Sequence, residues 1–197
     1  KQICTAIKLT QFMNQLEGAL ESVRKVNDIL SVESVSDQLT GAYNRRGFIT
    51  ESEKALRSCC MSHHDGAILY ADLDNLKGIN DNFGHKEGDF AIRMAMEFVR
   101  KNLRSTDVVG RIGGDEFVAL VLDVDERQMD QICMRIKSCA CEFNRTSDKP
   151  YNIEVSMGVY MFDSYNRETI DQLMSSADKV LYANKKLKKK SPLKDGE

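Results

Sequence analysis

Apolar residues in the first stretch of the chain fall in alternating steps of four and three, at Leu9, Met13, Leu16, Leu20, Val23, Asn27 and Leu30. This spacing is a heptad seam and predicts a helix over residues 1–35, with Asn27 at an a position where a lone Asn sets the register of parallel two-stranded coils. An amphipathic helix packed on its own domain reads from the same stripe. Residues 36–46 break the period. Asp37, Thr40 and Asn44 are capping or turn formers, and Gly41 adds backbone freedom. Helix resumes near Arg45 and runs to about Cys60, before a loop at His63-His64-Asp65-Gly66.

The run Ala67-Ile68-Leu69-Tyr70-Ala71 predicts a buried central strand, ending in Asp72-Leu73-Asp74. Residues 75–89 are rich in Gly and Asn and predict a short helix, a turn, and a longer helix from about Lys86 to Leu103. Phe90, Met94 and Phe98, with Ala91 and Ala95, form its expected inward face. Two aliphatic runs, Asp107-Val108-Val109 and Val118-Ala119-Leu120-Val121-Leu122, flank Gly113-Gly114 and read as a hairpin. A helix follows from Glu126 to about Asn144 through Met129, Ile132, Cys133, Ile136 and Ala140. Next come a polar loop from Arg145 to Pro150 and a strand from Tyr151 to Phe162. A final helix from Ile170 to Leu187 buries Leu173, Met174, Ala177, Val180 and Leu181 and runs into a lysine cluster, which suits a helix C-terminus. The order is one helix, then αβααββαβα. It predicts an α/β domain with a mostly antiparallel central sheet flanked by helices, in the manner of nucleotidyl cyclases and polymerase palms, with an N-terminal helix in front.

Length and composition narrow this only a little. The 197 residues allow one domain of about 150 residues plus an appendage. The expected division is a signalling helix over 1–35, the α/β domain over 36–190 and a tail over 191–197. A net charge of −2 gives no global attraction to nucleic acid or to an anionic membrane. No apolar run nears the roughly 18 residues of a membrane span, and no signal peptide is visible. Six cysteines without a CxxC pair or a His partner at ligand spacing read as reduced thiols in a cytosolic protein rather than a zinc site. The expected location is cytoplasmic, as the cytoplasmic part of a longer sensor protein, since a start at Lys1 without Met reads as a fragment.

The chemistry concentrates at Gly113-Gly114-Asp115-Glu116. Glycines let a bulky ligand approach the backbone, and adjacent acids at such a tip call for a cation. Period-two alternation puts Asp72 and Asp74 on one face at a strand end, a placement suited to Mg²⁺. Asp74 reads as structural, His85 as a loop-stabilising residue, and Arg111 as a brace for the hairpin. The His63-His64 pair reads as solvated.

Five motif groups occur in order. They are Asp37-Gln38-Leu39-Thr40-Gly41 with Asn44-Arg45-Arg46; Asp72-Leu73-Asp74 with Lys77 and Asn80-Asp81; Gly84-His85 with Gly88-Asp89; Arg111 with Gly113-Gly114-Asp115-Glu116-Phe117; and Ala177-Asp178 with Tyr182 and Lys185. The series resembles the GGDEF-domain diguanylate cyclases from Asp37 to about Lys190. That resemblance implies condensation of two GTP into cyclic di-GMP with release of two pyrophosphates. It implies Mg²⁺ or Mn²⁺ as cofactor, held at Asp72, Leu73, Asp115 and Glu116, with Asp115, Glu116 and Asp72 catalytic. Asn80 and Asp89 match guanine readers, and Lys77 and Lys185 match phosphate-binding lysines, beside Gly113 and Gly114 at the substrate. Lys189 stands where the family has a phosphate-binding Arg and trades a fork for a point charge. Ala42 and Leu76 stand for a usual Leu and Phe as packing changes.

One GTP per subunit implies a homodimer, which gives the heptad helix its use and suggests an upstream sensor domain. Arg104-Ser105-Thr106-Asp107, separated from Gly113 by five residues, resembles the family's product-inhibition site, with Arg135 completing it from the next helix. A non-catalytic receptor for GTP or cyclic di-GMP is the competing reading, and a cyclase making a mixed guanine–adenine product is a third. The acids of the turn speak against the first, and Asp89 against the second.

Overall fold

The computed structural model describes residues 35–60, 65–163, 165 and 167–190, with side chains as far as Lys188 in the last helix. The heptad seam, the His63-His64 pair and the tail lie outside the described residues, as does the side chain of Lys189. The elements run α1 (Arg45–Cys60), β1 (Gly66–Leu73), α2 (Leu76–Phe83), α3 (His85–Lys101), β2 (Val108–Arg111), β3 (Glu116–Leu122), α4 (Glu126–Thr146), β4 (Val155–Phe162) and α5 (Ile170–Lys190). Across the described residues the expected order αβααββαβα holds.

The four strands form one antiparallel sheet in the order β2-β3-β1-β4, so the aliphatic run of β1 is central, as its composition predicts. Period-two alternation divides the sheet into two cores. Leu69, Ala71, Phe117 and Ala119 face α3 and α4, where Ala91, Ala95, Val99, Met129 and Ile136 close the layer. Ile68, Tyr70, Val118 and Leu120 face α1 and α5, against Phe48, Leu173, Ala177 and Leu181. Gly158 is what lets α5 lie so close on β4. A Cβ there would stand 2.2 Å from the Leu181 nitrogen and 2.6 Å from the Ala177 carbonyl.

One helix face and several boundaries differ from expectation. The inward face of α3 is Ala91, Ile92, Ala95, Met96, Phe98 and Val99, while Phe90 and Met94 lie at its edge. Strand β4 starts at Val155 rather than Tyr151. The preceding residues act as a strap, with the Ile153 amide donating to Asn144 Oδ1 at 2.8 Å and the Tyr151 hydroxyl donating to Glu87. Helix α5 continues three residues past Leu187. A capping box between Asp125 and Gln128 starts α4 one residue before its first helical position.

Candidate active site

The hairpin tip is built by local chemistry. The Ile112 amide donates to the Glu116 carbonyl at 3.0 Å, closing a three-residue loop of Gly113, Gly114 and Asp115. Arg111 braces that loop from behind, donating from Nε and a terminal nitrogen to the Gly114 carbonyl at 3.2 and 2.7 Å. Its other terminal nitrogen reaches both oxygens of Asp37, at 3.2 and 3.0 Å. Asp37 also accepts from the Thr40 amide and hydroxyl at 2.9 and 2.6 Å. Burial opposes ionisation of Asp37, but Thr40 and Arg111 outweigh it and hold the carboxyl below its usual range. The lead-in segment is thus tied to the turn, and Tyr43 adds a parallel bridge to Gly110 of β2.

Sheet register then assembles the acids. Asp72 of β1 lies directly across from Glu116 of β3 and, on its other side, from Ser156 of β4. The Leu73 amide donates to the Asp115 carbonyl at 2.9 Å, which joins the end of β1 to the turn. Lys185 of α5 places its ammonium 2.5 Å from Asp72 Oδ1 and 3.9 Å from Asp74 Oδ1. Burial, first of all, pushes the Asp72 carboxyl up; the Lys185 contact opposes this, and the charges of Asp115 and Asp74 add to it.

Asp74 has a structural role, as its position suggested. Its two oxygens accept from the Ser156 hydroxyl at 2.8 Å each, and Lys188 lies 2.9 Å from Oδ2. Lys188 also reaches Glu154 at 2.5 Å. Sequence reading singled out neither Ser156 nor Glu154 as a partner there, and took Lys188 only as one of a basic run. The signal for Lys188 is its spacing, three residues after Lys185 on the same helix face.

The donor set fits a divalent cation in chemistry, since Asp72 and Glu116, opposed in the sheet, and Asp115 in the adjoining turn carry hard carboxylate oxygens. Leu73 offers no side-chain donor, so only its carbonyl could join them. With the Lys185 ammonium against Asp72, no three acids, imidazoles or thiols among the described residues are grouped to close on one ion.

The proposed guanine readers come from the α2–α3 hairpin. Asn75 takes a left-handed conformation (φ 58°) before α2, and Gly84 (φ 87°) reverses the chain between the helices. Asn80 is half-buried, and Asp89 is exposed. A ligand seated beside Asp89 would be needed to exclude water from it. A Cβ on Gly88 would stand 1.9 Å from Asn80 Oδ1, so the bare backbone of α3 makes the slot for that amide. Lys77 projects from the first turn of α2 and is exposed.

Arg104 and Asp107 close a turn of their own after α3. The Arg104 amide donates to Asp107 Oδ2 at 2.7 Å, and the Asp107 amide to the Arg104 carbonyl at 3.1 Å. Burial pushes the Asp107 carboxyl up, against the pull of Arg104. A cleft of about 530 Å³ opens there, lined by Arg100, Arg104, Ser105, Asp107, Gly41 and Tyr43 among others. Arg135 reaches the Asn102 carbonyl at 3.5 Å and does not line that cleft. No described helix is long and apolar enough to cross a membrane.

Comparison with known proteins bears on the family and the fold. The family model described as "Diguanylate cyclase, GGDEF domain" matches residues 34–191. The chain is 31% identical over 179 residues to diguanylate cyclase DgcP of Escherichia coli, covering 90% of this chain and 52% of that protein. It thus spans about half the length of that relative. In structure it resembles the coiled coil and GGDEF domain of DgcB from Caulobacter crescentus, crystallised with c-di-GMP. That match has a TM-score of 0.78 at 22% identity and covers 90% of this chain and 94% of the other. The GGDEF domain of PA1120 from Pseudomonas aeruginosa matches with a TM-score of 0.69 at 27% identity, over 77% and 89% of the two chains.

Proposed function

The chain belongs to the GGDEF-domain family of diguanylate cyclases, and from that membership we propose that it condenses two GTP into cyclic di-GMP and two pyrophosphates. The observation that carries this is the register pairing of Asp72 with Glu116, beside a turn whose Asp115 is hydrogen bonded to the end of β1. Each step is an in-line displacement. The 3′-oxygen of one GTP attacks the α-phosphorus of the other, a new P–O bond forms, and the bond to pyrophosphate breaks. The cofactor would be Mg²⁺ or Mn²⁺ held by Asp72, Glu116, Asp115 and the Leu73 carbonyl; when bound, such ions neutralise the triphosphate and lower the pKa of the attacking hydroxyl.

The chain's own residues supply position. Asn80 and Asp89 read guanine through its N1–H and 2-amino group, which adenine lacks. Lys77 and Lys185 meet the phosphates, and Lys185 exchanges Asp72 for substrate as it does so. Lys189 adds a further point charge from the end of α5. Bare Gly113 and Gly114 let the ribose and α-phosphate close on the turn. Because each subunit carries one such half-site, two domains must meet face to face, and the Leu9-to-Leu30 seam is proposed to hold them as a homodimer below an upstream sensor. Such a cyclase works in the cytoplasm, where its GTP is. Arg104 and Asp107, with Arg135 nearby, are proposed to bind the product as a brake, through charge-assisted contacts to guanine or phosphate.

Incubation of the chain with GTP and Mg²⁺, with the product identified by mass, tests the reaction. Cyclic di-GMP is expected, and GTP left unconverted by dimeric protein would overturn the proposal. If Leu16→Asp combined with Leu20→Asp leaves sedimentation mass and activity unchanged, the dimer helix is refuted.

A further inference from the structure

Tyr70 is the one side chain of β1 between Ala67 and Ala71 that carries a polar group, in a run otherwise of Ala, Ile and Leu. It is 7% exposed. In the register it faces Val118 directly, which makes Glu116 its diagonal neighbour on the same face of the sheet, within reach of a long aromatic side chain. The hydroxyl uses that reach, donating to Glu116 Oε1 at 3.2 Å. A buried tyrosine hydroxyl needs a partner, and here the partner is the acid opposite Asp72.

The other oxygen of Glu116 is fixed from a different direction. A Cβ on Gly113 would stand 2.3 Å from Glu116 Oε2. The carboxylate is thus folded back over the bare Cα of Gly113 on one side and hydrogen bonded to Tyr70 on the other. Both contacts select one orientation of a flexible side chain, at the strand end where Asp72 is its neighbour. Without the donor, Glu116 loses the hydrogen bond that fixes Oε1 and keeps its contact with the surface of Gly113.

We propose that Tyr70 is a positioning residue for the cation site, presetting the Glu116 carboxylate through its hydroxyl while Gly113 leaves room for the second oxygen. This rests on the reading of Asp72 and Glu116 as a pair that holds a divalent cation. Tyr70 would act through the Glu116 carboxylate rather than by its own contact with substrate or cation. It acts as do hydrogen-bond partners behind metal-binding carboxylates, whose loss costs about 10- to 100-fold in affinity.

The test is Mn²⁺ binding, followed by electron paramagnetic resonance. Mn²⁺ is titrated into the full chain holding a guanosine triphosphate with a methylene bridge between the α- and β-phosphates. Tyr70→Phe keeps the ring and removes the donor. It is expected to weaken Mn²⁺ binding about tenfold, with the melting temperature and the metal-free nucleotide affinity unchanged. Placing 4-aminophenylalanine at position 70 restores a donor and is expected to restore Mn²⁺ affinity. Should Tyr70→Phe fail to fold, Tyr70→Met takes its place in the comparison. Equal Mn²⁺ affinity in the parent and the donorless variant would overturn the role of Tyr70 while leaving the cyclase reading intact. A loss that 4-aminophenylalanine does not correct would do the same. A parent chain that binds no Mn²⁺ with the nucleotide would remove the cation reading itself, and Tyr70's role with it.

Discussion

Asp72 and Glu116 stand directly opposite each other on adjacent antiparallel strands, and the ammonium of Lys185 lies against Asp72 from the helix above. The arrangement holds two acids at one strand end with a lysine against the first of them. Sites built this way trade stability for function.

Asp72 offers a test of that trade. Burial, as the largest cause, raises its carboxyl pKa in the folded chain. A raised carboxyl favours the folded state most at low pH, and the contribution is lost as pH rises through the folded value. At neutral pH the charged Asp72 is therefore a liability to folding. Asp72→Asn is expected to melt at or above the parent temperature at pH 7 by calorimetry, while turnover falls by at least about 10². A melting temperature several degrees lower would show that the Lys185 pair dominates instead.

Asp37 behaves in the opposite sense. Its carboxyl is lowered from the ordinary 3.8 despite burial, because Thr40 and Arg111 favour the charge. The stability it contributes is present above the unfolded value and is lost as pH falls through the lower folded value. Asp37→Asn leaves the mostly buried Arg111 guanidinium without its partner and is expected to cost about 1–3 kcal/mol at pH 7. At roughly 2–4 °C per kcal/mol, the melting temperature falls measurably. The deficit should begin to shrink below the unfolded value of about pH 4 and disappear only below the lower folded value, where the parent's Asp37 is itself protonated. A deficit independent of pH would contradict the ion-pair account.

Gly88 is expected to control base selection without touching the base. Gly88→Ala drives a methyl group into Asn80 Oδ1 and turns the amide out of its slot. The KM for GTP should rise about tenfold and discrimination against ATP should fall, on the scale of one lost hydrogen-bonding partner. Steady-state kinetics with both nucleotides decides. Unchanged selectivity would separate Asn80 from guanine reading.

Arg104→Ala is expected to relieve inhibition by added cyclic di-GMP while leaving the initial rate on GTP unchanged, because the Arg104–Asp107 turn stands apart from the acids at the hairpin tip. Inhibition curves on both chains measure it. An unchanged curve would sink the proposed brake.

Much of this was legible in the sequence where the cause is local. The Gly113-Gly114 turn, the aliphatic centre of β1 and the capping signal at Asp37 each depend on neighbours a few residues away. Partners set by long-range pairing were less legible. That Tyr70 reaches Glu116 follows from the β1–β3 register, which no local pattern states. The start of β4 was misplaced because residues 151–154 alternate like a strand, yet Tyr151 and Ile153 are taken up by Glu87 and Asn144. Helix α5 outran its apolar period because lysines carry no such signal, although Lys188 is held by Asp74 and Glu154.

The most direct measurement is the rate of cyclic di-GMP formation from GTP and Mg²⁺ as protein concentration is varied across the monomer–dimer transition followed by sedimentation. If the turn is half of a reaction centre completed by a second subunit, activity per subunit rises with concentration and levels off as the dimer saturates. Activity per subunit that stays constant while monomer gives way to dimer, or no cyclic product at any concentration, would contradict the account.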